Sequence, residues 1–252
     1  MPEHNAELQG QTALVTGAAG DIGAAIATEL ARRGAHVTCA DLRDPAATVG
    51  GLPGSAHRGI IFDAADPAAV QHTLEHLPPF NIGICCTGVV DAAPFLDITT
   101  EQWHHHLEAN LTSYFLVGQQ LARGMVTAGT GGAITMIGSW VGAVPWPHIT
   151  AYSVSKAGVD MLAKSMALEL AKHRIRVNVV APGIVDAGMA RVQRLTEPDY
   201  AARITNIIPL EQLQSPEQVA HVAAFISSPA ADYITGTTLL ADGGASLFQF
   251  PS

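Results

Sequence analysis

The sequence predicts an α/β fold: one doubly wound domain with a parallel sheet and helices on both faces. Two observations carry this. Short apolar runs alternate with amphipathic segments along the whole 252-residue chain, which is the β/α rhythm of such folds. The runs are also apolar at successive positions, as expected of strands buried on both faces of a parallel sheet. With 48% hydrophobic and only 14% charged residues, the chain can fill a large core and is a poor candidate for disorder.

Taken in order, Thr12–Thr16 reads as a strand and Ile22–Arg33 as a helix closed by Gly34. Ala35–Ala40 and Gly59–Phe62 are the next two strands, with the Gly/Pro-rich stretch Gly50–His57 between them read as a surface loop. Pro67–His76 is a short helix with Asp66 as its N-cap and Pro67 at its first position. Ile82–Cys86 is a strand and Glu101–Thr127 a long helix. Ala133–Ile137, Ala151–Lys172 and Arg176–Val180 then read as strand, long helix and strand. Pro216–Ser227 is a helix and Thr237–Leu240 the last strand. Ligands of such sheets bind beyond the carboxyl ends of the strands.

Composition narrows the partners. A formal net charge of −9 disfavours nucleic acid. No apolar run reaches the roughly 18 residues of a membrane span. The N-terminal stretch Met1–Gly10 has neither a basic patch nor an apolar run, so a secretory signal is not expected. The three cysteines, Cys39, Cys85 and Cys86, form no disulfide framework or zinc spacing, and a cytoplasmic location is expected.

The first strand-to-helix turn, Thr16-Gly17-Ala18-Ala19-Gly20-Asp21-Ile22-Gly23, carries glycines that let a pyrophosphate approach backbone N–H groups at a helix N-terminus. Asp41 ends the second strand, placed to accept from an adenosine ribose. Asp63 ends the third, where adenine would lie. Any one of these can be an ordinary turn residue; together they point to a dinucleotide. Arg43 is the cation nearest Asp41, and strand alternation predicts that it points away.

Tyr152 and Lys156 are four apart at the start of a helix and share a face. A phenol titrating near 10 is a poor acid/base at neutral pH, and an ammonium beside it favours the phenolate. Ser139, just past a buried strand, can bring a hydroxyl to the same place.

These residues resemble those of the short-chain dehydrogenase/reductase family from about Gln11 to Gly244. The glycine turn is similar to the family's. Tyr152-Ser153-Val154-Ser155-Lys156 resembles its Tyr-x-x-x-Lys, Ser139 its serine, and Asn110 the Asn of its long fourth helix. Arg176-Val177-Asn178, Pro182-Gly183 and Asp242-Gly243-Gly244 resemble three further motifs. The resemblance implies a single NAD-binding Rossmann-fold domain over 1–252, with a substrate-binding loop at about 186–213. It implies an oxidoreductase interconverting a secondary alcohol and a ketone. Tyr152 would be general acid or base, and Lys156 would lower its pKa and hold the nicotinamide ribose. Ser139 would donate to the substrate oxygen, and Asn110 would hold a water of the proton relay. The expected cofactor contacts are Gly17, Asp21, Ile22, Gly23, Asp41, Leu42, Asp63, Ala64, Cys86, Gly88, Pro182, Gly183 and Val185, with Tyr152 and Lys156. A homotetramer is implied, with the helices Glu101–Thr127 and Ala151–Lys172 across one interface.

Three departures stand out. Cys85-Cys86-Thr87-Gly88 replaces the usual Asn-Asn-Ala-Gly and reads as repacking by small apolar side chains. Asp21 stands where glycine is common, and its charge is expected to point to solvent. A Thr is missing after Pro182-Gly183, leaving the backbone of Val185 as the expected contact. Trp140, Trp146, Ile149 and Met189 are candidates for the substrate pocket, with ordinary packing an equal reading. They favour an apolar or aromatic small-molecule substrate over a phosphorylated one. Trp103 is expected in the core. His104, His105 and His106 are expected as a solvated or subunit-facing patch, with no metal. A non-catalytic NAD(H)-binding sensor is the rival reading, which the intact Asn110, Ser139, Tyr152 and Lys156 set disfavours.

Overall fold

The computed structural model describes residues 7–196, 204 and 207–247, with the backbone alone at 189 and 193. Seven strands form one parallel sheet: β1 (Thr12–Thr16), β2 (His36–Asp41), β3 (Arg58–Ile61), β4 (Ile82–Cys85), β5 (Gly132–Ile137), β6 (Ile175–Pro182) and β7 (Thr238–Ala241). Their order is β3-β2-β1-β4-β5-β6-β7. The chain winds outward from β1 to one edge, then returns and winds to the other. The break in winding falls between β1 and β4, which pair Val15 with Ile84. At such a switch the loops diverge and leave a crevice above the carboxyl ends.

Helices cover both faces. On one face α1 (Asp21–Arg32) packs against the helix Pro216–Ser227, sealing Ile26, Leu30, Val219 and Ala223 over Val15 and Ile84. On the other, α3 (Pro67–Glu75), α5 (Ser113–Ala128) and α6 (Thr150–Leu170) cover Leu14, Ile134, Met136 and Val177. Central strands β5 and β6 are buried over nearly their full length, as two-faced apolar runs require. Asp66 caps α3 by accepting from Ala68 N and Ala69 N.

Four expectations are corrected. Gly50–His57 is not wholly loop: α2 (Ala46–Gly51) precedes Leu52, which is buried. Glu101–Thr127 is not one helix. It is α4 (Thr100–Leu107), a π-helical turn (Glu108–Thr112) and α5. A π-turn inserts one residue into the ladder and commonly marks a functional site. Trp103 is only half-buried, near the start of α4. His106 is buried, not solvated: its Nε2 accepts from Asp91 N at 3.0 Å while Nδ1 lies 2.7 Å from Gln102 O. That pairing fixes a neutral ring with the proton on Nδ1, and it anchors the loop after β4.

The stretch expected as a substrate loop holds a helix, α7 (Gly188–Thr196). Its part at 197–203 and 205–206 lies outside the described residues. No helix among the described residues is long and apolar enough to cross a membrane.

Candidate active site

The first turn is built by close approach. Gly17 has φ +69, and a Cβ there would meet Cys86 O at 2.5 Å. A Cβ on Gly23 would meet Gly17 O at 2.1 Å. Only glycine lets the turn fold back on itself and lie against the end of β4. Gly20 caps α1 without any side-chain hydrogen bond, so the first-turn N–H groups keep no cap acceptor. Gly17, Asp21, Ile22 and Gly23 line a cavity of about 430 Å³. An uncapped helix N-terminus facing a cavity suits an anion.

A second cavity, of about 500 Å³, holds Asp41, Leu42, Asp63 and Ala64. Gly17, Cys86 and Gly88 line both cavities, so the two join above the ends of β1 and β4. Two joined cavities astride an uncapped helix N-terminus fit an extended dinucleotide. Its nicotinamide would supply the hydride-transfer chemistry.

Asp41 does more than end a strand. Its Oδ2 accepts from Ala19 N at 2.9 Å, fastening the glycine turn, and its Oδ1 accepts from Arg43 N at 2.9 Å. The second bond curls the chain, and Arg43 does not point away: its Nε lies 3.5 Å from Asp41 Oδ1. Strand alternation stops where β2 stops, at Asp41. Asp63 is exposed, and its Oδ1 accepts from Ala65 N at 2.8 Å.

Asp21 does not simply face solvent. Its Oδ2 accepts from Gly188 N at 3.0 Å and lies 3.2 Å from the Arg191 guanidinium. Asp186 in turn pairs with Arg194 at 3.0 Å. The acidic residue at the start of α1 thus clips α7 against the mouth of the first cavity.

Ser139, Tyr152 and Lys156 meet on the wall of that cavity, beside Pro182, Gly183 and Val185. Ser139 follows β5, its Oγ accepts from Val141 N at 3.4 Å, and its hydroxyl is near enough to the Tyr152 phenol to favour the phenolate. Burial raises the Tyr152 phenol above its ordinary value, and the nearby Ser139 hydroxyl offsets part of that rise. Lys156 is 3% exposed, and burial lowers its ammonium to about 8. Its Nζ donates to Ile137 O at 2.8 Å and lies 5.6 Å from the Tyr152 ring centre. The sharp turn at Gly142, packed on the α6 backbone beside Lys156, holds the serine loop against the helix.

Asn110 lies behind the wall, fully buried in the π-turn. Its Oδ1 accepts from Val89 N at 2.7 Å, and its Nδ2 donates to Val89 O at 2.9 Å and Ser155 Oγ at 3.1 Å. It therefore ties the loop after β4 to α6, one residue from Lys156. Burial pushes the thiols of Cys85 and Cys86 up to about 12, so both stay protonated at neutral pH.

Trp140, Trp146 and Ile149 line the cavity and also pack with Val141, Ile207 and Ile208 in a small apolar cluster. The two indoles meet edge to face at 5.3 Å. Packing and lining are therefore not alternatives here. The Met189 side chain lies outside the described residues. Sequence reasoning missed Tyr114, whose hydroxyl is 3.3 Å from Lys156 Nζ. The one sequence hint is spacing: Tyr114 stands four after Asn110, on an adjoining turn of the same helical run, which does not by itself reveal its contact with Lys156.

Known proteins resemble this chain in sequence and in fold. A family model described as enoyl-(acyl carrier protein) reductase matches residues 17–246. The chain is 31% identical to 3beta-hydroxysteroid dehydrogenase 1 of Eggerthella lenta, over 97% of this chain and 98% of that one. It is 34% identical to 3-oxoacyl-[acyl-carrier-protein] reductase FabG of Escherichia coli, over 94% and 97%. The crystal structure of a putative 2-deoxy-d-gluconate 3-dehydrogenase from Agrobacterium tumefaciens, with bound NADP, superposes with a TM-score of 0.91. It is 30% identical and covers 98% of this chain and 100% of that one. The chain belongs to the short-chain dehydrogenase/reductase family. It is an oxidoreductase of that family, acting on alcohol- or ketone-type substrates with a nucleotide cofactor.

The turn geometry makes a specific prediction. Gly23→Ala places a methyl 2.1 Å from Gly17 O, so the turn must open. Affinity for a dinucleotide, followed by NADH fluorescence titration, is expected to fall at least about tenfold, roughly 1.4 kcal/mol. An unchanged dissociation constant would contradict the close-packed turn.

Proposed function

We propose that this enzyme interconverts a secondary alcohol and a ketone with NAD(H), with Tyr152 as the proton donor and acceptor. The observation that carries the reading is the convergence of Ser139, Tyr152 and Lys156 on one cavity wall, where that cavity joins the one holding Asp41. Ser139 stands on the same wall as the phenol and can donate to the substrate oxygen. Tyr152 gives that oxygen a proton in reduction and takes it in oxidation. A phenol raised by burial needs positive charge nearby to work at neutral pH, and Lys156 supplies it. Asn110 keeps the loop and helix around Lys156 in register. The remaining contacts inferred from the sequence, from Gly17 to Val185, fall on the two cavities. A sensor with no turnover has no use for an ammonium buried at this cost.

The substrate end is apolar. Trp140, Trp146 and Ile149 form it, and Lys156 is the sole Lys or Arg among the described residues lining that cavity. A phosphate would call for a basic side chain there. We infer an apolar or aromatic substrate, in line with the steroid named for the Eggerthella relative. Activity confined to phosphorylated or CoA-linked substrates would contradict this.

For the cofactor, the Asp41 carboxylate supports NAD(H). A 2′-phosphate about 4 Å away costs roughly 4 kcal/mol at an effective dielectric near 20, before screening. The contact between Arg43 and Asp41 favours NADP(H) as the second reading, since it places a cation beside that anion, and the Agrobacterium structure contains NADP. Asp41 is the more committed group, because two backbone N–H bonds hold it. We also infer a cytoplasmic homotetramer. Phe115 on α5 and Met161 and Leu168 on α6 are exposed and suit an interface of those helices; a monomeric mass by light scattering would contradict it.

Two measurements check the reading. Tyr152→Phe is expected to keep cofactor binding and lose about 10²–10⁴-fold in kcat; near-normal kcat would refute the acid/base role. The ratio of kcat/KM for NAD to that for NADP is expected to exceed about ten. It should fall in Asp41→Ala and rise in Arg43→Ala. A wild type that uses NADP at least as well, or a ratio unmoved by Asp41→Ala, would remove Asp41 as the discriminator.

A further inference from the structure

Tyr114 belongs to none of the motifs, yet it is the largest fully buried side chain among the described residues. It stands at the start of α5, directly after the π-turn. Its hydroxyl lies 2.9 Å from Thr87 O and 3.0 Å from Ile137 O, to which it can donate. The same oxygen accepts from Lys156 Nζ at 3.3 Å, and the ammonium sits 5.0 Å from the Tyr114 ring centre. Thr87 O lies just past the end of β4, and Ile137 O ends β5. The phenol therefore bridges the carboxyl ends of two neighbouring central strands directly beneath the ammonium.

We propose that Tyr114 is a positioning residue for Lys156, holding its ammonium charged and aimed at the cavity. The donor count supports this. An ammonium has three N–H groups. One goes to Ile137 O and one to Tyr114 Oη, which leaves the third for the cavity that Lys156 lines. The phenol is suited to this because it is both donor and acceptor: its one hydrogen satisfies a strand-end carbonyl while its lone pairs face the ammonium. The neighbouring thiols of Cys85 and Cys86 are weak hydrogen-bonding groups and cannot do the same work. The ring face adds a favourable contact with the cation.

The titratable groups around Lys156 are Cys85 and Cys86 at the end of β4, Tyr152 and Asp160 on its own helix, and Tyr114. Both thiols are neutral. Asp160 accepts from Thr238 Oγ1 at 3.0 Å and stays in place when Tyr114 is changed. Removing the Tyr114 oxygen takes away an acceptor from the charged form of Lys156, so the ammonium gives up its proton more easily. Tyr152 then ionises with less help, at higher pH.

This rests on the proposed role of Lys156 in easing Tyr152 ionisation, and the experiment separates the two. Tyr114→Phe keeps the ring and volume and deletes only the oxygen; Tyr114→Met fills the space with no hydroxyl. Alcohol oxidation is followed as kcat against pH for wild type, both variants and Tyr152→Phe. In both Tyr114 variants the acid limb of kcat is expected to move up by about one pH unit, since a hydrogen bond to a charged group is strong enough for that shift. Turnover then falls about tenfold at pH 7 and recovers at alkaline pH, with KM for the alcohol little changed. A residue that merely fills the core would lower the melting temperature and leave the limb in place. Superimposable pH profiles would overturn the proposal, as would failure of both variants to fold, which would assign Tyr114 to the core alone. If Tyr152→Phe retains turnover, it is the acid/base reading itself that fails.

Discussion

A lysine ammonium with 3% of its surface exposed is the group around which this structure is organised. Burying a charge is costly unless it is hydrogen-bonded, and the cost falls on whatever holds it. Three elements share that task. The end of β5 gives the Ile137 carbonyl, the start of α5 gives the Tyr114 phenol, and α6 carries the lysine itself. Each must be in register for the others to work. The π-turn before α5 and the tight approach of Gly142 to the α6 backbone are the local adjustments that achieve it. Asn110 adds a further tie, from the loop after β4 to the helix turn next to Lys156.

The topology of the sheet explains why the two cavities open beside that lysine. The sheet changes its direction of winding between β1 and β4. Gly17 lies against the backbone of Cys86 there, where the two cavities join. The charges at the rim are not idle. Asp41 holds the glycine turn while drawing Arg43 back over it. Asp21 reaches across to α7, with Asp186 and Arg194 beside it. One ion pair, Asp21 with Arg191, thus crosses the mouth of the cleft, and the other two lie one on each side of it.

Much of this was legible in the sequence. All seven strands fall within about two residues of where periodicity placed them, because apolar runs buried on both faces leave a strong local signal. Tyr152 and Lys156 were legible through their spacing, and the glycine turn through its composition. What was not legible depends on distant partners. The direction of Asp21 is set by Gly188, 167 residues away. Arg43 turns back because the strand has already ended, a boundary that alternation alone cannot mark. The π-turn interrupts an amphipathic pattern that reads as continuous from Glu101 to Thr127. Tyr114 drew no reading at all, since its importance comes from two strand-end carbonyls and an ammonium that only the fold brings to it.

The central claim is that the Lys156 ammonium is buried and held as a charge poised near neutral pH. The chain has three lysines, Lys156, Lys164 and Lys172, and the other two are exposed. In a sample labelled with ¹⁵N at lysine Nζ, NMR titration is therefore expected to show one resonance changing near pH 8, and Lys156→Arg should remove that resonance. A Lys156 resonance that changes only at about 10.4, the value of an ordinary lysine, would show a solvated ammonium and contradict the account.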